Sequence, residues 1–164
     1  SFEHPLVVCD LGCGDFNVGR QLLPHVKTYK AVDIVAELIE RNKKKFTDPK
    51  LAFHCLDIAA DACPSGDCAI LRNVLQHLSN DEIARIAQKL PDFTYAIVTE
   101  HIPEGDFAPN KDIISGQGIR LKKGSGVNLL APPFNLEVQA EEQWLSVPSK
   151  DAEGLEVTTL YRLK

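Results

Sequence analysis

An aspartate and two glycines near the start of the chain are the residues that point most clearly to chemistry, in Asp10-Leu11-Gly12-Cys13-Gly14. A short apolar run precedes them and a polar residue follows, which predicts a strand that turns sharply into a helix. Glycines at such a turn let a ligand lie against the backbone, and a helix N-terminus offers free N–H donors. The Asp10 carboxylate would repel a pyrophosphate but attract a ligand that carries an ammonium or sulfonium group.

This segment resembles the first motif of the class I methyltransferases that use S-adenosylmethionine (SAM), an acidic residue followed by Gly-x-Gly. A third glycine often follows in that family, but Phe16 stands at its position here. The G-x-G-x-x-G fingerprint of nicotinamide and flavin enzymes also fails, because Asn17 stands where its third glycine would be. The resemblance implies that five residues bind the cofactor: Asp10, Leu11, Gly12, Cys13 and Gly14.

Two further carboxylates follow predicted strands. Asp33 lies 19 residues after Gly14, the separation at which a carboxylate accepts hydrogen bonds from ribose hydroxyls. The resemblance implies that Asp57 lies beside the adenine amino group, that Ile58 packs against the ring, and that Ile34 belongs to the same site. Simpler roles stay open: Asp10 as the cap of a turn, and Asp33 and Asp57 as helix caps.

The segment that runs from Leu71 to Leu78 resembles the fourth motif of the same family, which contacts the methionine portion of SAM. The resemblance therefore adds three cofactor residues: Arg72, Asn73 and Val74. The methyl group of a sulfonium is already activated, so a general base is needed only if the nucleophile must lose a proton early. His101 and His77 are the candidate bases, with Glu100 to orient a histidine. The alternatives are a structural His77 and a solvent-exposed His101.

Strands and helices that alternate along the chain predict a parallel sheet covered on both faces. The predicted strands are 6–9, 28–32, 51–56, 68–71, 93–99, 136–147 and 155–163, and the predicted helices are 17–23, 36–46 and 79–90. The last two strands have a short link and therefore form an antiparallel hairpin. We expect an α/β fold, a Rossmann-like three-layer sandwich. The resemblance implies a mostly parallel seven-stranded sheet of order 3-2-1-4-5-7-6.

Composition narrows the class of protein. The 164 residues, 44% of them hydrophobic, suit one soluble domain over 1–164, whose short N-terminus leaves no room for much of an N-terminal cap. The net charge of −5 argues against a nucleic-acid partner. No apolar run is long enough for a membrane span, so we expect a cytoplasmic protein. The five cysteines have no metal-binding spacing and are expected to be buried free thiols, without disulfides or a metal.

The segment 101–133 is rich in glycine and proline and leaves the fifth strand at the cofactor edge. A connection of this length is usually functional or mobile. We expect it to form the substrate-side wall, with an apolar inner surface made by Ile113, Ile114, Ile119 and Leu121. Three basic residues are expected to attract an acidic substrate group: Arg120, Lys122 and Lys123.

The reaction expected from the resemblance is methyl transfer from SAM to an oxygen or nitrogen of a small molecule, which leaves S-adenosylhomocysteine. The Asn-Pro-Pro-Tyr type of tetrapeptide, which holds a planar amino group for methylation of bases or glutamine, is absent after the fourth strand. A non-catalytic SAM-binding subunit or domain that serves a larger enzyme is one alternative, favoured by the short N-terminus. An NAD-dependent oxidoreductase is the other, disfavoured by Asp10 and by the missing glycine.

Overall fold

A seven-stranded sheet forms the centre of the protein, whose computed structural model describes residues 2–150 and 153–164. In chain order the strands are β1 Val7–Leu11, β2 Thr28–Asp33, β3 Leu51–Cys55, β4 Cys68–Arg72, β5 Tyr95–Ile102, β6 Ala140–Pro148 and β7 Leu155–Arg162. Their spatial order is β3-β2-β1-β4-β5-β7-β6. Strands β1 to β5 pair in parallel, and β7 pairs antiparallel with β5 and β6. The predicted fold class and strand order are confirmed.

Short helices connect the strands. Those in the described ranges are α1 Ala36–Lys45 and α2 Asn80–Ala87, with 3₁₀ helices at Gly19–His25, Leu75–His77, Leu90–Asp92 and Arg120–Lys123. The first predicted helix is a 3₁₀ helix, and it includes Pro24 near its C-terminal end rather than ending before it. Helix α2 begins at the predicted cap. Ser79 Oγ accepts from the Glu82 N–H, and Glu82 Oε2 accepts from the Ser79 N–H.

Both faces of the sheet carry a hydrophobic core. Successive side chains of a strand point to opposite faces, so neighbours in β1 belong to different clusters. Leu11 packs in a cluster with Ile83 and Ile86 of α2. Val8 packs in a second cluster with Phe46, the C-cap residue of α1. The sheet therefore lies between two helical layers, as expected.

The long connection between β5 and β6 is held to the rest of the protein by a buried arginine. Arg120 is 1% exposed. Its guanidinium donates to Leu78 O at 2.8 Å and Asn80 Oδ1 at 2.7 Å, and more weakly to the carbonyls of Leu75 and Gln76 at 3.4 and 3.5 Å. The expectation that Arg120 attracts a substrate is therefore wrong, because its donors satisfy the backbone before α2.

A buried carboxyl group lies near Arg120. Glu100, on β5, is 6% exposed, and neither carboxylate oxygen has a hydrogen-bond partner among the described residues. Burial raises the pKa of Glu100 to about 8, although the positive Arg120 and the nearby backbone of Gln76 and Leu75 offset part of this rise. The carboxyl group is thus held in a place that favours its neutral form.

The described residues contain no helix long and apolar enough to cross a membrane, and no cluster of His, Cys, Asp and Glu in them has the arrangement of a metal site. All five cysteines are free thiols. Cys9 and Cys68 are buried and Cys13 and Cys63 are partly buried. Cys55 is exposed, contrary to expectation, because it ends β3, an edge strand of the sheet.

We predict that Arg120→Leu lowers the free energy of unfolding by about 3 kcal/mol, because hydrogen bonds from a charged donor contribute about 1.5–3 kcal/mol each and the buried carbonyls would lose theirs. Urea denaturation measures the loss. The matched control is Lys122→Ala at an exposed position of the same 3₁₀ helix, which should change stability by less than about 0.5 kcal/mol. Equal effects of the two substitutions would contradict a bracing role for Arg120.

We predict that Glu100→Gln stabilises the protein at neutral and alkaline pH. The folded pKa of about 8 lies above the ordinary value of 4.5, so wild-type stability should fall as the pH rises from 4.5 towards 8. The amide of the Glu100→Gln variant has no charge to bury. The difference in the free energy of unfolding between variant and wild type should therefore vanish at the acidic end of that range. Denaturation curves across the range measure this difference. An advantage that is constant with pH would contradict the buried carboxyl as its cause.

Candidate cofactor and active site

A cavity of about 450 Å³ opens at the carboxyl ends of β1 to β4. The carboxyl ends of parallel strands meet at one edge of a sheet, which is where ligands of open α/β proteins bind. Each of these four strands contributes one charged residue, at or just after its carboxyl end, to the lining of the cavity. They are Asp10 near the end of β1, Asp33 at the end of β2, Asp57 just after β3 and Arg72 at the end of β4.

The floor of the cavity is the glycine turn after β1. The N–H groups of Gly12 and Cys13 both donate to Val32 O, each at 2.9 Å, which folds the turn back onto the end of β2. Gly12 has φ 107°, a conformation that favours glycine, and a Cβ atom there would overlap the side chain of Val74. The turn can therefore approach the loop after β4 only because position 12 has no side chain.

The structure shows how Phe16 is accommodated where the motif often has its third glycine. Its φ of 63° lies in the left-handed region that glycine adopts without strain, yet its side chain is fully buried. Ring centroids of Tyr29, Phe46 and Phe53 lie 5.1–5.3 Å away, each in edge-on geometry. Aromatic packing from β2, β3 and the end of α1 offsets the backbone strain, so the turn keeps its shape without a glycine.

Asp10 is a buried carboxylate on the cavity wall. Its Oδ2 accepts a 2.8 Å hydrogen bond from the Tyr29 hydroxyl, and no N–H of the described turn donates to it, so it does not cap the turn. Burial raises the pKa of Asp10 to about 6, against the opposing effects of the Tyr29 hydroxyl and of Arg72. A cationic ligand group beside it would stabilise the ionised form.

Asp33 links the glycine turn to the start of α1. Its Oδ2 accepts from the Gly14 N–H and its Oδ1 from the Val35 N–H, both at 3.0 Å. Val35 is the N-cap residue of α1, and the start of this helix has no side-chain capping hydrogen bond. Asp33 is therefore not the helix cap. Its carboxylate is held at the cavity by two backbone donors.

Asp57 caps a local turn, since its Oδ1 accepts from the N–H groups of Ala59 at 2.9 Å and Ala60 at 3.3 Å. It also lines the cavity, so the two roles considered for it do not exclude each other. Ile34 and Ile58 also line the cavity. Ile34 is 63% exposed and Ile58 is partly buried. Together they offer an apolar surface that suits a planar ring.

Eleven of the twelve residues predicted to bind the cofactor line the cavity, and Leu11 does not, because its side chain is buried in the core. Asn73 and Val74 lie on the wall after β4, and Asn73 Oδ1 is a buried acceptor with no partner among the described residues. The sequence prediction missed Tyr29. Its contact with Asp10 depends on the pairing of β1 with β2, which no local pattern reveals.

The candidate catalytic residues are not all in one place. His77 lines the cavity. His101 is buried outside the cavity lining, with its Nε2 3.0 Å from Glu153 O, and is not the solvent-exposed histidine considered as its alternative. Glu100 is the preceding residue of β5, so its side chain points to the opposite face of the sheet. It makes no hydrogen bond to either ring, and the structure gives no support for an orienting role.

None of the residues 101–133, all of which the structure describes, lines the first cavity. Ile119, Leu121 and Lys122 instead line a second cavity of about 640 Å³ next to the end of β5. Ile114 is 93% exposed, so it does not contribute to an inner apolar surface as expected. Ile113 is half-buried. The predicted wall is thus present only in part and faces a different cavity.

The geometry agrees with comparisons to known proteins. A family model described as a methyltransferase domain matches residues 8–94, more than half of the chain. Human N-acetylserotonin methyltransferase, solved with SAM, is 15% identical with a TM-score of 0.64, over 95% of this chain and 47% of that one. The N-methyltransferase NodS from Bradyrhizobium japonicum WM9, solved with S-adenosylhomocysteine, is 12% identical with a TM-score of 0.69, over 96% and 78%.

A third similar structure is the Burkholderia thailandensis 1,6-didemethyltoxoflavin-N1-methyltransferase, solved with 1,6-didemethyltoxoflavin and S-adenosylhomocysteine. It is 17% identical with a TM-score of 0.65, over 97% of this chain and 71% of that one. No curated protein sequence matches. The chain spans about half the length of the human enzyme. On the match over residues 8–94 and on the strand order, the chain belongs to the methyltransferase domain family, with the class I fold.

Proposed function

We propose that the protein binds SAM in the cavity at the carboxyl ends of β1 to β4 and transfers its methyl group to an oxygen or nitrogen of a small molecule. The observation that carries this proposal is the set of carboxylates at three successive strand ends, Asp10, Asp33 and Asp57, around one glycine turn. Membership of the methyltransferase domain family supports it.

The residues fit the chemical groups of SAM. Asp10 would attract the positively charged methionine end of the cofactor. Asn73, which lines the same cavity, offers a further acceptor in its Oδ1, which has no partner among the described residues. The Asp33 carboxylate would accept from the ribose hydroxyls. Ile34 and Ile58 would hold the adenine ring, with Asp57 near its amino group. SAM and S-adenosylhomocysteine, as bound in the human enzyme and NodS, are the ligands this donor set suits.

When bound, SAM supplies a methyl group on a positive sulfur that a lone pair displaces directly. The protein's own contribution is then alignment and the exclusion of water. Val18 and Leu22 contribute apolar surface to the cavity lining, and the glycine turn contributes backbone. Of the two candidate bases, only His77 lines this cavity. We assign no step of the reaction to Glu100.

The acceptor we propose is a small molecule. The acidic net charge of −5 and the missing Asn-Pro-Pro-Tyr tetrapeptide weigh against a nucleic-acid acceptor. The toxoflavin enzyme, whose structure contains its small-molecule ligand, has the same fold. A non-catalytic SAM-binding subunit is the second candidate. It is favoured by the position of His101 outside the cavity lining.

We predict that SAM and S-adenosylhomocysteine raise the melting temperature of the protein and that NAD and NADP do not. A ligand at about 100 times its Kd stabilises the folded state by roughly 2.7 kcal/mol, which a thermal-shift measurement detects easily. Asp33→Ala is the matched variant, and it should lose most of the shift. A shift with NAD and none with SAM would contradict the proposal. A full shift in the variant would remove Asp33 from the binding site.

A further inference from the structure

Gln76 is a buried side chain between the two candidate histidines. It is 7% exposed and immediately precedes His77 in the 3₁₀ helix Leu75–His77. Its Oε1 accepts from the backbone N–H of His101 at 3.0 Å. Its Nε2 lies 3.4 Å from Nε2 of the His77 ring. One amide group therefore contacts both residues that the sequence marks as candidate bases.

The backbone contact fixes which way the Gln76 amide points. A backbone N–H can only donate, so the amide atom that faces His101 N must be the oxygen. The reversed amide would place two donors against each other in a buried site, which costs free energy. The NH₂ group of Gln76 must therefore face His77.

The orientation of the amide in turn fixes the proton on the His77 ring. An NH₂ group has no lone pair to accept with, so His77 Nε2 must be the acceptor. A neutral imidazole carries one proton, which then resides on Nδ1. His77 Nδ1 is buried and makes no hydrogen bond to the described residues, so the contact with Gln76 alone distinguishes the two tautomers.

His101 has the opposite arrangement. Its Nε2 lies 3.0 Å from the carbonyl oxygen of Glu153, which can only accept. His101 Nε2 must therefore carry the proton, and its Nδ1 keeps the lone pair. Two histidines linked through one glutamine thus have different tautomers in the same protein.

We propose that Gln76 is a positioning residue that holds His77 in the Nδ1–H tautomer, with the Nε2 lone pair occupied. In the proposed methyl transfer, on which this consequence rests, His77 lines the cavity but is not the general base. A proton that the acceptor must lose does not go to His77. Six charged residues line the same cavity, and none of them makes a hydrogen bond to the His77 ring: Asp10, Asp15, Asp33, Asp57, Arg72 and Glu82.

The test is the tautomer of each ring, read from ¹⁵N chemical shifts and two-bond ¹⁵N–¹H correlations of histidine-labelled protein. The spectrum is recorded without SAM at alkaline pH, where imidazoles are neutral, and the His77→Asn variant assigns the signal. We expect the Nδ1–H form for His77 and the Nε2–H form for His101, the internal reference. A wild-type His77 in the Nε2–H form overturns the proposal whatever the variants do.

The second arm is Gln76→Glu, which is nearly isosteric. A carboxylate accepts from both neighbours, so it should move His77 to the Nε2–H form while His101 keeps its signal. A His77 ring that stays in the Nδ1–H form in this folded variant would show that Gln76 does not set the tautomer. Both arms are free of cofactor, so their failure is distinct from a missing thermal shift with SAM.

Discussion

The shape of the cavity edge of the sheet depends on one carbonyl group, Val32 O, which accepts hydrogen bonds from the N–H groups of both Gly12 and Cys13. These two hydrogen bonds turn the chain after β1 back onto the end of β2. The absence of a side chain at Gly12 then lets Val74 and the loop after β4 close against the turn. Asp33 adds a further bond between β2 and the glycine turn, because its carboxylate accepts a hydrogen bond from the Gly14 N–H. The floor of the cavity and one of its carboxylates are therefore held by the same small set of bonds.

Polar contacts from the long connection after β5 support the part of the cavity wall that carries His77. Arg120 satisfies carbonyls of the turn that carries His77, and Gly116 N–H donates to His77 O at 2.9 Å. Ser115 Oγ accepts from the Ser79 N–H at 2.8 Å. The long connection after β5 therefore makes hydrogen bonds to the segment that carries His77, although none of its own residues lines the cavity. We therefore expect the connection to affect the cavity through the position of the residues 75–79.

Local patterns in the sequence were enough to predict the alternation of strands and helices, the capping box at Ser79 and the carboxylates at strand ends, because each depends on periodicity or on a strand end. The strand order followed instead from the resemblance to the methyltransferase family. The rest depends on tertiary packing. Arg120 resembles a surface charge in sequence and becomes buried only when the loop docks. Glu100 and His101 are adjacent in sequence, but the alternation of β5 separates them. The contact between Asp10 and Tyr29 requires the register of two strands, which the chain does not display locally.

The central claim is that the three carboxylates and the glycine turn form a SAM site. A crystal structure of the protein grown with S-adenosylhomocysteine tests this claim most directly. We predict ribose hydroxyls within hydrogen-bonding distance of Asp33, the adenine ring between Ile34 and Ile58, and the amino acid end over the glycine turn near Asp10. A ligand bound elsewhere, or an empty cavity at saturating ligand, would contradict the account.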